Sequence, residues 1–136
     1  MERLGLGPDV LLDRNPSLVM TRVTGFGQDG PYAARAGYDF LIQGMSGLMS
    51  ITGEPDGQPQ KSGVAITDIF IGVYATTAML AAVHQRSVTG EGQHIDMALL
   101  DVAVSVTANQ AMNYLTTGKA PGRMGNGHVN LAPYQV

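Results

Sequence analysis

Cysteine and tryptophan are absent from the 136 residues, and charge is scarce: Asp, Glu, Lys and Arg together make 14% of the chain, against about 25% in an average soluble domain. Without cysteine there are no disulfides, no thiolate metal sites and no cysteine nucleophile, a composition compatible with a reducing compartment. Eight Lys and Arg against eleven Asp and Glu leave a net charge of −3. No basic surface is therefore available to neutralise a nucleic-acid backbone or to hold an anionic membrane. The opening residues Met1-Glu2-Arg3-Leu4-Gly5 lack the basic-then-apolar order of a secretory signal, so a cytoplasmic protein is expected. No repeat or charge block is visible, and 18 Gly with 7 Pro stay below the composition of disordered chains.

What is present suits one domain or part of one: 44% of the residues are apolar, enough to bury a core at this length. Gly7-Pro8 opens a short helix that Asn15-Pro16 ends, because the residue before a proline is pushed out of the helical region. Leu18 to Thr24 reads as a strand, Gly25 to Pro31 as a loop, and Tyr38 to about Ser50 as a helix. Thr52 to Gly63 is turn chemistry throughout. Val64 to Val83 is apolar apart from Asp68 and a few polar positions. Its length alone nominates a membrane span, but the Thr, Tyr and Asp positions and the Ala-rich composition predict a tightly packed, buried helix. Thr67 is its expected N-cap and Arg86 its expected last turn. A turn over Ser87 to Gln93 leads to a strand over His94 to Ala98, then to a helix over Leu99 to Thr117 closed by Gly118. Gly122 to Tyr134 reads as a loop. Strands alternating with helices predict an α/β layer structure with a parallel sheet. Two strands do not make a stable sheet, so its completion is expected from outside these residues.

Gly25-Phe26-Gly27-Gln28-Asp29-Gly30 matches G-x-G-x-x-G after a strand. A dinucleotide site would need a helix to open there and an acid to close a second strand about 20 residues on. Pro31 follows instead, so the glycines are better read as admitting something close to the backbone. His84, His94 and His128 lack metal-ligand spacing, and Gly44-Met45-Ser46-Gly47 lacks the final spacing of a nucleophile elbow. Asp68 stands out, since a carboxylate in an apolar run is costly unless paired, solvated or functional. In a first helical turn the unpaired N–H groups and the helix dipole keep it ionised. A carboxylate nucleophile and a bland helix N-terminal acid both fit. Asp101 suits a cap or a structural hydrogen bond, with Asp96 on the strand before it. Asp39, at a helix start, fits either a cap or a site shared with Asp68.

Taken in order, Glu2-Arg3-Leu4-Gly5-Leu6-Gly7, Asn15-Pro16-Ser17-Leu18-Val19, Thr24-Gly25-Phe26-Gly27-Gln28-Asp29-Gly30-Pro31-Tyr32, Ala36-Gly37-Tyr38-Asp39, Ser46-Gly47-Leu48-Met49, Thr52-Gly53, Asp68, Thr89-Gly90-Glu91-Gly92-Gln93 and Arg123-Met124-Gly125-Asn126 resemble the family III CoA-transferases. The resemblance covers the whole chain. It implies that residues 1–136 form the central part of a Rossmann-like large domain, in a fold whose two chains interlock as a homodimer. The N-terminal strands and the small domain of that family fall outside these residues. It further implies that Asp68 is the nucleophile: it attacks an acyl-CoA thioester, passes through an acyl-aspartyl anhydride and an aspartyl-CoA thioester, and yields CoA to a second carboxylic acid. By the same resemblance Arg3 and Leu4 line the nucleotide end of CoA, where a guanidinium suits phosphate. Tyr38 and Asp39 form an aromatic-acidic pair near the thioester, with Asp shorter than the Glu of some members. Coenzyme A enters as substrate, and no bound cofactor or metal is implied. The same fold hosts α-methylacyl-CoA racemases, whose His falls at Tyr38 here. An unperturbed Tyr is a poor base at neutral pH, which favours transfer over racemisation. A third expectation is that this length of chain is inert by itself. The low charge then signals a surface that other parts of an assembly cover.

Overall fold

The computed structural model describes residues 1–134. After a single 3-10 turn at Glu2–Leu4 the elements run α1 (Pro8–Arg14), β1 (Val19–Thr24), α2 (Asp39–Met45), α3 (Ile66–Thr89), β2 (Gln93–Ala98), α4 (Leu99–Ser105) and α5 (Ala108–Thr117). β1 and β2 pair in parallel, from Val19 opposite Gln93 to Thr24 opposite Ala98. Parallel partners need a crossover, and here it contains α2 and the long α3. The predicted α/β class holds, and both strands begin within one residue of their expected positions.

Three glycines bring the pieces together. A Cβ on Gly92 would stand 2.0 Å from the Leu18 carbonyl oxygen, so only glycine lets β2 enter beside the start of β1. Past the other end of β1, Gly25 and Gly37 approach backbone to backbone, leaving no room for a side chain on either. The Gly25 carbonyl also accepts from Leu100 N–H at 3.1 Å, tying this loop to α4. The core is formed by Ile42 of α2, Ile71 of α3, and Leu99, Val102 and Ala103 of α4, with Phe26 and Phe70 packed against it.

Several boundaries differ from expectation. α2 stops at Met45 because Gly47 takes a left-handed φ of 86°, and a separate 3-10 turn follows at Met49–Ile51. The helix expected over Leu99 to Thr117 is two helices. Ser105 and Thr107 hydroxyls donate back to the carbonyls of Val102 and Val104, each at 2.7 Å, a competition that bends helices. Ala108 restarts the chain with a φ of 44°. α3 runs past Arg86 to Thr89, where Gly90 closes it with a left-handed φ of 78°.

α3 also overturns its predicted burial. By length and mean hydropathy, 1.7 over its most apolar window, it could cross a membrane. Of its 24 residues only Thr67, Ile71, Ala75 and Ala82 are buried, along the side that packs on the sheet and α4. Ile69, Val73, Leu80 and Val88 are exposed. Hydropathy reports what a helix is able to bury, and these residues supply a partner for one stripe of it.

The polar segment after Thr52 is a turn, as expected, and Arg123 pins it. The guanidinium donates to the carbonyls of Glu54 at 3.2 Å and Gly57 at 2.7 Å, while Gly125 N–H donates to Gly53 at 2.9 Å. The loop following α5 is thereby stitched to the loop preceding α3.

Candidate functional site

At the start of α3, Asp39 bonds the residue that precedes Asp68. Thr67 was expected to cap this helix, but Ala65 occupies the N-cap position and offers no side-chain bond. The cap comes from another element. Asp39, the first residue of α2, sends its carboxylate across, and Oδ1 accepts from Thr67 N–H at 2.9 Å and from Thr67 Oγ1 at 2.8 Å. Its Oδ2 accepts from Gln43 Nε2 at 2.8 Å, one helical turn along α2. Gln43 Oε1 in turn accepts from Ser62 N–H at 2.8 Å, fastening the segment that leads into α3. Thr67 and Gln43 are fully buried.

Asp39 is held below the usual carboxylate range. Burial alone would raise it, but the Thr67 hydroxyl, the Thr67 N–H, the Gln43 amide and the Lys61 charge all favour the ionised form and prevail. Asp39 does not cap its own helix, whose N-cap is Tyr38; its carboxylate instead caps α3, the helix that carries Asp68.

Asp68 lies in the first turn of α3, as expected. It is exposed rather than enclosed by apolar groups, so the cost of burying a charge does not arise in these residues. Tyr38, at the N-cap position of α2, is 77% exposed. Arg3 and Leu4 are exposed on the N-terminal 3-10 turn. Glu2 of that turn pairs with Arg22 of β1, whose guanidinium pushes the Glu2 carboxyl down to about 2. No hydrogen bond joins this turn to α2 or α3 among the described residues. The structure therefore ties Asp39 to Thr67, the residue before Asp68, and sets Arg3 and Leu4 on a different support.

The remaining acids divide plainly. Asp96 Oδ2 accepts from Gln28 N–H at 2.9 Å and steadies the loop after β1. Asp101 was expected to cap or to bond, but Ala98 is the N-cap of α4 and Asp101 is exposed in its first turn. It borders an open cavity of about 240 Å³ with Tyr74, Asp96 and Ser105. The Gly25–Gly30 loop opens no helix; what it admits to its backbone is Gly37, just ahead of Tyr38 and Asp39.

Sequence reasoning missed Gln43 and Ser62 and misassigned Thr67. The Asp39–Gln43 spacing of four on a helix was a usable signal. The Asp39–Thr67 bond spans 28 residues, and no local pattern announces it.

Comparison with known proteins adds what geometry alone does not. A succinate–glutarate CoA-transferase of Agrobacterium fabrum is 57% identical over 136 residues, all of this chain and 34% of the relative. The mouse succinyl-CoA:glutarate CoA-transferase is 42% identical over 136 residues, again all of this chain and 31% of the relative. Among solved structures, a CaiB/BaiF family protein from Brucella suis superposes with a TM-score of 0.92 at 58% identity, covering 98% of this chain and 35% of that one. The chain thus spans about a third of the length of the relatives it matches. Since the model of CoA-transferase family III matches residues 1–136 throughout, and the α/β structure agrees with that of a solved member, the chain belongs to the family III CoA-transferases.

Proposed function

We propose that these residues form the nucleophile-bearing part of a CoA-transferase that exchanges CoA between succinate and glutarate, or dicarboxylates of closely similar size. The observation that carries the reading is an accessible carboxylate, Asp68, in the first turn of a helix whose start is held from a second element. The 57% identity to a transferase named for succinate and glutarate supports the choice of acids.

In this reading a carboxylate oxygen of Asp68 attacks the thioester carbonyl carbon of the donor, the C–S bond breaks, and CoA leaves as thiolate. The mixed anhydride is then attacked by that thiolate at the aspartyl carbonyl, releasing the donor acid and leaving an aspartyl-CoA thioester. The acceptor carboxylate repeats the exchange in reverse order, and Asp68 is regenerated. No proton, oxidant or bound cofactor is consumed. A carboxylate suits the task because each acyl intermediate is already activated. Arg3 and Leu4 hold the nucleotide end of CoA, and exposed Tyr38 faces the thioester.

The reading places the chain within a cytoplasmic polypeptide of the relatives' full length, acting as an interlocked homodimer. The exposed Phe40, Ile69, Val73, Leu80 and Leu115 support it, because a free surface seldom carries that much apolar area. The low charge content has the same origin.

The test is CoA exchange by the full-length protein, followed as glutaryl-CoA formed from succinyl-CoA and glutarate. Asp68→Ala is expected to lose at least about 10³-fold in kcat/KM. Full activity in that variant, or exchange of the α-proton of a branched acyl-CoA with deuterated water in place of CoA transfer, overturns the reading.

A further inference from the structure

Asp39 and Thr67 form a contact that the transfer chemistry above leaves unused. We propose that Asp39 is a positioning residue, which sets the direction of Asp68 by capping α3 through Thr67 instead of holding substrate. The proposal rests on Asp68 being the nucleophile.

The cap is needed because Ala65 at the N-cap position of α3 has no side-chain oxygen and is a poorer cap than Ser or Asp. Asp39 supplies the missing acceptor, and it does so twice, to the N–H and the hydroxyl of the residue directly before Asp68. Two bonds on one oxygen fix both the position and the rotation of that peptide. The rest of the network removes the remaining freedom. Gln43 fills Oδ2 and grips Ser62, so the segment entering α3 is fastened six residues before Asp68 as well as one.

The occupancy of the carboxylate speaks against a substrate role. Two carboxylate oxygens offer about four acceptor positions and no donor when ionised, and Thr67 and Gln43 take three of them. Its charge would also repel a carboxylic acid substrate. The neighbouring helix start profits instead, since a part-buried pair of charge-assisted bonds is among the stiffer tethers available to a backbone. In covalent catalysis a nucleophile displaced by about 1 Å costs on the order of 10²-fold, so the tether bears on rate and leaves binding alone.

The experiment uses the full-length protein with succinyl-CoA and no acceptor, and measures the rate at which CoA becomes bound to Asp68 across a range of succinyl-CoA concentrations. Thr67→Val removes the hydroxyl bond at nearly constant volume and is expected to slow the maximal rate about tenfold with KM within about twofold. Asp39→Ala is expected to slow it about 10²-fold, again with little change in KM. Thr67→Ser keeps both donors and is expected to match wild type. An increase in KM with an unchanged maximal rate assigns Asp39 to substrate and overturns the proposal. So does an unchanged rate in folded variants whose Tm has fallen, which would make the contact a cap and nothing more. Should Asp39→Ala not fold, Thr67→Val decides the matter by itself. A wild-type protein that forms no bond at residue 68 overturns the nucleophile reading and this proposal together, whereas wild-type labelling with either of the two failures above overturns this proposal alone.

Discussion

Gly25 and Gly37 touch backbone to backbone: a Cβ on Gly25 would stand 2.6 Å from the Gly37 Cα, and one on Gly37 would stand 2.8 Å from the Gly25 Cα. This is the joint that carries α2 to the end of the sheet. Tyr38 and Asp39 follow Gly37 immediately, so the approach of two glycines delivers Asp39 to within bonding distance of Thr67. The glycine-rich loop after β1 makes this contact through its first glycine.

Gly25→Ala and Gly37→Ala in the full-length protein are therefore expected to destabilise it by roughly 2 kcal/mol or more, since backbone cannot yield as a flexible side chain does. Gly63→Ala and Gly122→Ala provide the contrast, with nothing within 4 Å of the added methyl and an expected effect within about 0.5 kcal/mol. Denaturant unfolding of the four variants checks both expectations. Equal effects at all four positions would remove the close approach as the cause.

Stability is expected to fall in acid partly through Asp39. Its folded pKa lies below the ordinary value of 3.8, so the folded state binds that proton less readily than the unfolded chain. The stabilisation is fully present above the unfolded value and is lost as pH falls through the lower folded value. Unfolding midpoints measured between about pH 7 and pH 2.5 should decline less steeply below about pH 4 in Asp39→Asn than in wild type. Glu2, pushed down to about 2 by Arg22, acts in the same direction, so the comparison is made in a Glu2→Gln background. An unaltered slope contradicts the assignment of this loss to Asp39.

Local chemistry made much of the fold legible. Pro8 and Asn15-Pro16 bracket α1, β-branched residues mark β1, and Gly118 closes α5. Asp68 was likewise placed in a first turn by its position in the apolar run. What escaped depends on partners distant in sequence. The burial of α3 was overestimated because periodicity shows an apolar stripe without showing whether anything covers it. Ser105 and Thr107 break a helix through hydroxyl bonds that hydropathy does not register. The cap on α3 was sought in Thr67, its own sequence neighbour, while the acceptor that exists sits on α2. Asp101 shows the converse error: an acid near a helix start suggested a cap, yet the preceding backbone leaves it facing outward.

The covalent role of Asp68 is tested most directly by peptide mapping of the full-length protein after incubation with succinyl-CoA alone. The account predicts a CoA thioester on the peptide containing Asp68, absent in Asp68→Asn and discharged as glutaryl-CoA when glutarate is added. Attachment at another residue, or undiminished CoA transfer by Asp68→Asn, would contradict it.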